Sequence, residues 1–180
     1  MITVFRTRQD LLKVRLKGVI QKGQPIIDRL IVLVFIFAYG LSIALIPLDV
    51  FHFHLLPKPN IAVSSLGLAL VVIGWWIISL VFKENAFAAP VVRHQSERQH
   101  HVVDTGVYAF VRHPMYAGIF LFNVGMALWL ESYVAAIATV VPIALLAVRI
   151  IFEERFLKRE LPGYTAYTQT VRYRLLPYVW

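Results

Sequence analysis

Apolar residues fall in four runs, over residues 30–48, 61–82, 114–130 and 133–152, separated by polar stretches of unequal length. None of the runs alternates apolar and polar positions, as a lipid-facing barrel strand would. Each extends ~17–22 residues, which at ~1.5 Å per residue crosses most of a ~30 Å hydrocarbon layer as a helix. A helix satisfies its own backbone polar groups, so it is the one alternative to a closed barrel inside lipid. The pattern predicts an all-α integral membrane protein with about four transmembrane helices. It also divides the chain into a basic N-terminal segment (1–29), two helices with an outer loop (30–89), and a C-terminal part (90–180) holding a helical hairpin flanked by polar segments.

Local signals refine each part. In "RTRQDLLKVRLKGVIQK", residues 6–22, Leu12, Leu16 and Val19 share a helical face while Lys13, Arg15 and Lys17 lie elsewhere, as suits a helix on an anionic membrane surface. A plain tail explains the stretch nearly as well. Pro47 and Asp49 are expected to stop the first span. Gly67 and Gly74, and again Gly118 and Gly125, are seven residues apart, so each pair opens one helix face to a close neighbour. Pro142 lies near the middle of the fourth run, where packed helices tolerate a kink. Only "ESY" separates runs three and four, which predicts a tight antiparallel hairpin. That hairpin would return Arg112 and His113 to the membrane level of Glu153 and Glu154.

Composition agrees with lipid as the solvent: 59% of residues are hydrophobic and the mean hydropathy is +0.69. The formal charge of +8 would point a soluble chain toward nucleic acid, but its distribution matters more than its sum. Seven Lys or Arg precede the first run, one (Lys58) lies between runs one and two, four between two and three, none between three and four, and six from Arg149 onward. This alternation follows the positive-inside rule with both termini cytoplasmic. A nucleic-acid site would need a basic face with interleaved stacking aromatics, so no nucleic-acid partner is expected. Cysteine is absent, which excludes disulfides and thiolate metal sites. The first run is longer than a signal-peptide core and no small-x-small cleavage site follows it, so it is expected to remain as a span.

Candidate chemistry gathers in the polar segments. His52 and His54 on the Pro-flanked outer loop read as interfacial polar residues sooner than as metal ligands. The segment "KENAFAAPVVRHQSERQHHVVDTGVYAFVRHP" is too long and too rich in Val, Tyr and Phe to be an idle linker. Its histidines, His94, His100, His101 and His113, invite a di-iron reading, but His52 and His54 would lie across the membrane and the ligand set falls short; no metal is expected. Each rim residue also has a bland explanation. Pro114 opens a helix, Arg112 obeys the positive-inside rule, Arg149 can pair with Glu153 and Glu154 with Lys158, and Tyr164, Tyr167 and Trp180 can form an aromatic belt. Taken together, one rim would collect Arg, His, adjacent carboxylates and tyrosines from both ends of a hairpin, which favours a site.

The order of "HHVVDTGVYAFVRHPMYAG", an apolar hairpin and "EERFLKRELPGYTAYTQTVRYRLLP" resembles the isoprenylcysteine carboxyl methyltransferase and phospholipid methyltransferase superfamily, over about residues 90–180. Chain size is that of its short, prokaryotic-type members, which points to a bacterial inner membrane. The resemblance implies S-adenosylmethionine as cofactor, S-adenosylhomocysteine as product, and a lipophilic or lipidated acceptor met in the membrane. It places His101, Gly106, Tyr108, Arg112, His113, Pro114, Tyr116 and Gly118 on one side of the cofactor pocket, and Glu153, Glu154, Tyr164 and Tyr167 on the other. A carboxylate acceptor would need only a clamp, for which Arg112 is suited. A lipid amine would need a base, Glu153 or Glu154. Arg112 could equally bind the cofactor's carboxylate, and the ~100° between neighbours on a helix leaves one of the two glutamates expected to face the site. A non-catalytic lipid-binding or assembly protein of the same fold is the alternative; a sterol-reductase-like reading with a nicotinamide cofactor would require many more spans.

Overall fold

The computed structural model describes residues 18, 20, 24–88 and 101–180. The stretch over 6–22 lies almost entirely outside these residues, as do His94 and His100. The described residues are helical and contain no strand. Their helices are α1 (Ile26–Leu48), α2 (Ile61–Glu84), α3 (Pro114–Trp129), α4 (Tyr133–Ala138), α5 (Val140–Glu160) and α6 (Tyr164–Thr170). Three helical stretches are long and apolar enough to cross a membrane: Ile26–Phe53, Ile61–Glu84 and Tyr133–Glu160. The third apolar run gives a shorter helix of 16 residues.

The outward faces require lipid. α2 buries only Ser64, Gly67, Gly74 and Val81, while Trp75 and Trp76 are 64% and 61% exposed. In water such surface would be strongly unfavourable. The chain is an all-helical membrane protein.

Two helix pairs make the bundle. α2 and α3 run antiparallel in close contact along their length, because their glycines face each other. A Cβ on Gly74 would lie 2.7 Å from the Gly118 carbonyl oxygen, and one on Gly125 would lie 2.7 Å from that of Gly67. α1 packs instead on α4 and α5. The expected hairpin of runs three and four is present as a turn at Leu130–Ser132, but its helices meet through large side chains. Tyr116 of α3 packs on Leu146 and Ile150 of α5. Backbone-close packing goes to α2 because the α3 glycines point there.

Two prolines act differently from expectation. α1 runs past Pro47 to Leu48 and loosens into a π turn, Asp49–Phe53, that ends at His54 in a left-handed conformation. The wider turn is closed by the His54 N–H, which donates to the Asp49 carbonyl at 2.9 Å. Pro142 leaves the carbonyl of Ala138 without its helical donor, and the fourth run breaks there into α4 and α5 at Thr139.

Candidate active site at one rim of the bundle

Each element delivers its residues to the rim for a local reason. Pro114 fills the first position of α3, where a missing N–H is harmless, and His113 precedes it as the cap residue. The backbone before α3 is held by the C-terminal segment: Arg112 N–H donates to the Tyr173 carbonyl (3.0 Å) and His113 N–H to the Arg174 carbonyl (2.9 Å). α5 continues beyond its apolar part, so Glu153 and Glu154 emerge at the same level. The start of α3 and the end of α5 therefore touch, as the short connection between the runs predicts.

Glu154 is the centre of the cluster. It is 4% exposed, and its two oxygens accept from Arg112 Nε at 2.6 Å and Arg174 Nε at 3.1 Å, with His113 Nε2 3.3 Å from the first. Arg112 also donates through Nη1 to the carbonyls of Val171 (2.6 Å) and Arg172 (2.8 Å). One guanidinium thus ties α3, α5 and the C-terminal segment together. Removing a partner from so buried a pair leaves an uncompensated charge, which is why the network is tightly specified. Glu153 has a different neighbour: its Oε2 accepts from the Tyr116 hydroxyl at 2.7 Å, and the residue is only half-buried. Both carboxylates have protein partners, because neighbouring groups flank α5 on two sides.

The local pairings read from i, i+4 spacing give way to tertiary ones. Arg149 pairs with Asp28 of α1 at 3.1 Å, and Glu154 with Arg112 and Arg174, while Lys158 is exposed. Asp28 and Arg174 were not signalled by the motifs. A lone Asp at the edge of the first span was the only available clue.

The tyrosines close the other side. Tyr167 donates to the Tyr108 carbonyl at 2.7 Å, and Asn85 Nδ2 donates to the Tyr108 hydroxyl at 3.0 Å. The Tyr164 hydroxyl is buried without a hydrogen-bond partner among the described residues. Burial pushes the phenols of Tyr164 and Tyr167 well up, and that of Tyr108 up to about 12, against the pull of the Asn85 bond. These phenols remain protonated near neutral pH, and of the three Tyr167 donates a hydrogen bond among the described residues.

Three predicted residues occupy the periphery. Gly106 has φ +57°, and a Cβ there would lie 2.7–2.9 Å from the Glu84 side chain, so it seats the loop against α2. Gly118 lies in the α2 seam. His101 is exposed and meets Phe87 edge-on, ring centres 4.9 Å apart.

Fold and site together define an all-helical membrane protein with a polar cluster at one rim, made of a buried carboxylate–guanidinium knot and neighbouring phenols. The chain belongs to the phospholipid methyltransferase family, whose profile matches residues 63–162. The match takes in α2, ahead of the region that the motifs marked, and stops just before Tyr164. The chain is 30% identical over 113 residues to protein-S-isoprenylcysteine O-methyltransferase B of Arabidopsis thaliana, covering 61% of this chain and 57% of that protein. It is 35% identical over 100 residues to a probable protein-S-isoprenylcysteine O-methyltransferase of Oryza sativa subsp. indica, covering 54% and 52%. The chain thus spans about half the length of the curated relatives it matches.

Proposed function

We propose that this chain is a membrane-embedded methyltransferase that uses S-adenosylmethionine, methylates a lipophilic acceptor reaching the rim from the bilayer, and releases S-adenosylhomocysteine. The observation that carries this reading is the union of the α3 start and the α5 end around Glu154, in a chain of this family. The distribution of basic residues supports a cytoplasmic position for this rim, by the positive-inside rule.

The residues present fit such a cofactor. Tyr164 offers an unsatisfied buried hydroxyl, and Glu153 a half-buried carboxylate with one oxygen bonded to Tyr116. Tyr164, Tyr167, Tyr108, His113 and Glu153 would hold it, inside a frame that Arg112 and Glu154 fix. When bound, S-adenosylmethionine supplies a methyl group on a sulfonium, which transfers by in-line displacement. The protein's part is to align the nucleophile and exclude water, and the Arg112–Glu154 knot does this by anchoring the C-terminal segment across the rim. Arg112 spends Nε and Nη1 on protein acceptors, so its role is to brace the cup.

The relatives' names favour the carboxylate of an isoprenylated cysteine as acceptor, which attacks as the anion and needs no base. The family's name, together with the half-buried Glu153, supports a second acceptor, a lipid amine whose proton Glu153 would take. Calorimetric titration with S-adenosylhomocysteine tests the cofactor: saturable binding is expected, and its absence would mean a non-catalytic member of the fold. Supplying labelled methyl donor to membranes then identifies the acceptor. Glu153→Gln is expected to weaken methylation of a carboxylate acceptor only through cofactor affinity, so that it recovers at saturating donor, and to abolish methylation of an amine at any donor concentration.

A further inference from the structure

We infer that Asp28, in the first turn of α1 and outside the family-matched residues, is a positioning residue for the reacting side of the cup; this rests on the methyl-transfer reading above. Asp28 is 5% exposed and accepts from two side chains among the described residues. Its Oδ2 accepts from Gln24 Nε2 at 2.7 Å and its Oδ1 from Arg149 Nε at 3.1 Å. Arg149 is itself 5% exposed, and its guanidinium carbon lies 5.6 Å from the centre of the Tyr116 ring. The Tyr116 hydroxyl then donates to Glu153. A continuous chain of contacts runs from α1 through α5 and α3 back to the half-buried carboxylate of the site.

The consequence lies in what Asp28 prevents. Arg149 stands four residues before Glu153 on α5, the spacing at which a helical Arg and Glu pair directly. In low-dielectric surroundings a guanidinium seeks the nearest carboxylate. Asp28 draws Arg149 toward α1 and over the Tyr116 ring, which leaves Glu153 bonded to a neutral phenol instead of a cation. Without the charge on Asp28, Arg149 turns to Glu153, displaces the Tyr116 bond and closes the carboxylate to a ligand.

Asp28→Asn tests this in the full-length protein, with Asp49→Asn as a buried carboxylate control at the other rim. Turnover at saturating donor and acceptor is expected to fall about tenfold to a hundredfold in Asp28→Asn, the range for misplacing a reacting group. S-adenosylhomocysteine affinity in Asp49→Asn and turnover per folded enzyme in that control are expected to stay at wild-type values. Tyrosine labelled with carbon-13 at Cζ reports Tyr116 independently of turnover, its resonance assigned with Tyr116→Phe. That resonance is expected to move in Asp28→Asn and to stay in Asp49→Asn. A stationary Tyr116 signal, or a turnover loss that Asp49→Asn reproduces, overturns the inference. Should the wild-type protein transfer no methyl group, the functional reading fails and the Tyr116 resonance alone decides the role of Asp28. If Asp28→Asn does not fold, Asp28→Ser, which also removes the charge, is read in its place: reduced turnover with a displaced Tyr116 signal supports the inference, and wild-type values for both overturn it.

Discussion

The two rims of the bundle bury carboxylates in opposite ways. At the far rim Asp49 is 4% exposed and accepts from neutral donors, the Ser132 hydroxyl at 2.6 Å and the Leu55 N–H at 3.1 Å. Ser132 in turn caps α4 by accepting from Ala135 N–H. The result is a closed local lock that joins the end of α1 to the start of α4. At the site rim, among the described residues, Glu154 collects Arg112, Arg174 and nearby His113, Glu153 keeps a single phenol, and the Tyr164 hydroxyl has no hydrogen-bond partner. The Asp49 lock uses no cation, with the Ser64 hydroxyl in the first turns of α2 left unpaired among the described residues; the site rim concentrates charge and leaves the Tyr164 hydroxyl open. Unused capacity in an otherwise saturated network is what a ligand can complete.

The sharpest way to break the contrast is Arg112→Ala, which strips Glu154 of its shortest partner and frees the Val171 and Arg172 carbonyls. A loss of roughly 3–5 kcal/mol is expected, the range for orphaning a buried pair, together with loss of S-adenosylhomocysteine binding. Thermal unfolding in detergent and titration calorimetry check it; an unchanged melting temperature would mean that the knot does not hold the rim. Next is the seam that joins the rims. Gly74→Leu would place a Cβ 2.7 Å from the Gly118 oxygen and 2.8 Å from the Phe122 nitrogen, both backbone atoms that cannot step aside. About 1–3 kcal/mol of destabilisation is expected from such overpacking, read by the same unfolding assay.

Tyr164→Phe separates binding from folding. It removes a hydroxyl that contributes no hydrogen bond to the protein, so stability should hold or rise while S-adenosylhomocysteine affinity drops by about 1 kcal/mol, the value of one lost hydrogen bond. A loss of stability with full affinity would contradict the assignment of this hydroxyl to a ligand. The smallest effect belongs to the exposed far-rim pair Lys58–Glu131, 3.3 Å apart. Lys58→Ala should change stability by no more than about 0.5 kcal/mol, since both side chains remain in contact with solvent.

Much of this could be read in the chain, because membrane helices announce themselves by length and apolarity. The runs at 30–48, 61–82, 114–130 and 133–152 became α1, α2, α3 and the α4–α5 pair. Pro114 fixed where α3 begins, and the short "ESY" turn required Arg112 and Glu154 to share a rim. Other features were illegible for a physical reason. Charge pairing read along one helix put Arg149 with Glu153, but a buried cation takes the carboxylate that packing brings nearest, and that is Asp28, 121 positions away. Glycines seven apart announced that a close neighbour existed without naming it.

What the sequence alone determined is the solvent, the helical class and the meeting of the α3 start with the α5 end, which follow from local periodicity and connection length, and, by resemblance of its motifs, the family. Only tertiary structure decided which helices approach backbone to backbone, which carboxylate is saturated and which is left half-open, and that Asp28 of α1 pairs with Arg149 of α5. Those outcomes depend on competition among partners distant in the chain, settled by burial and distance, and no local pattern encodes that competition.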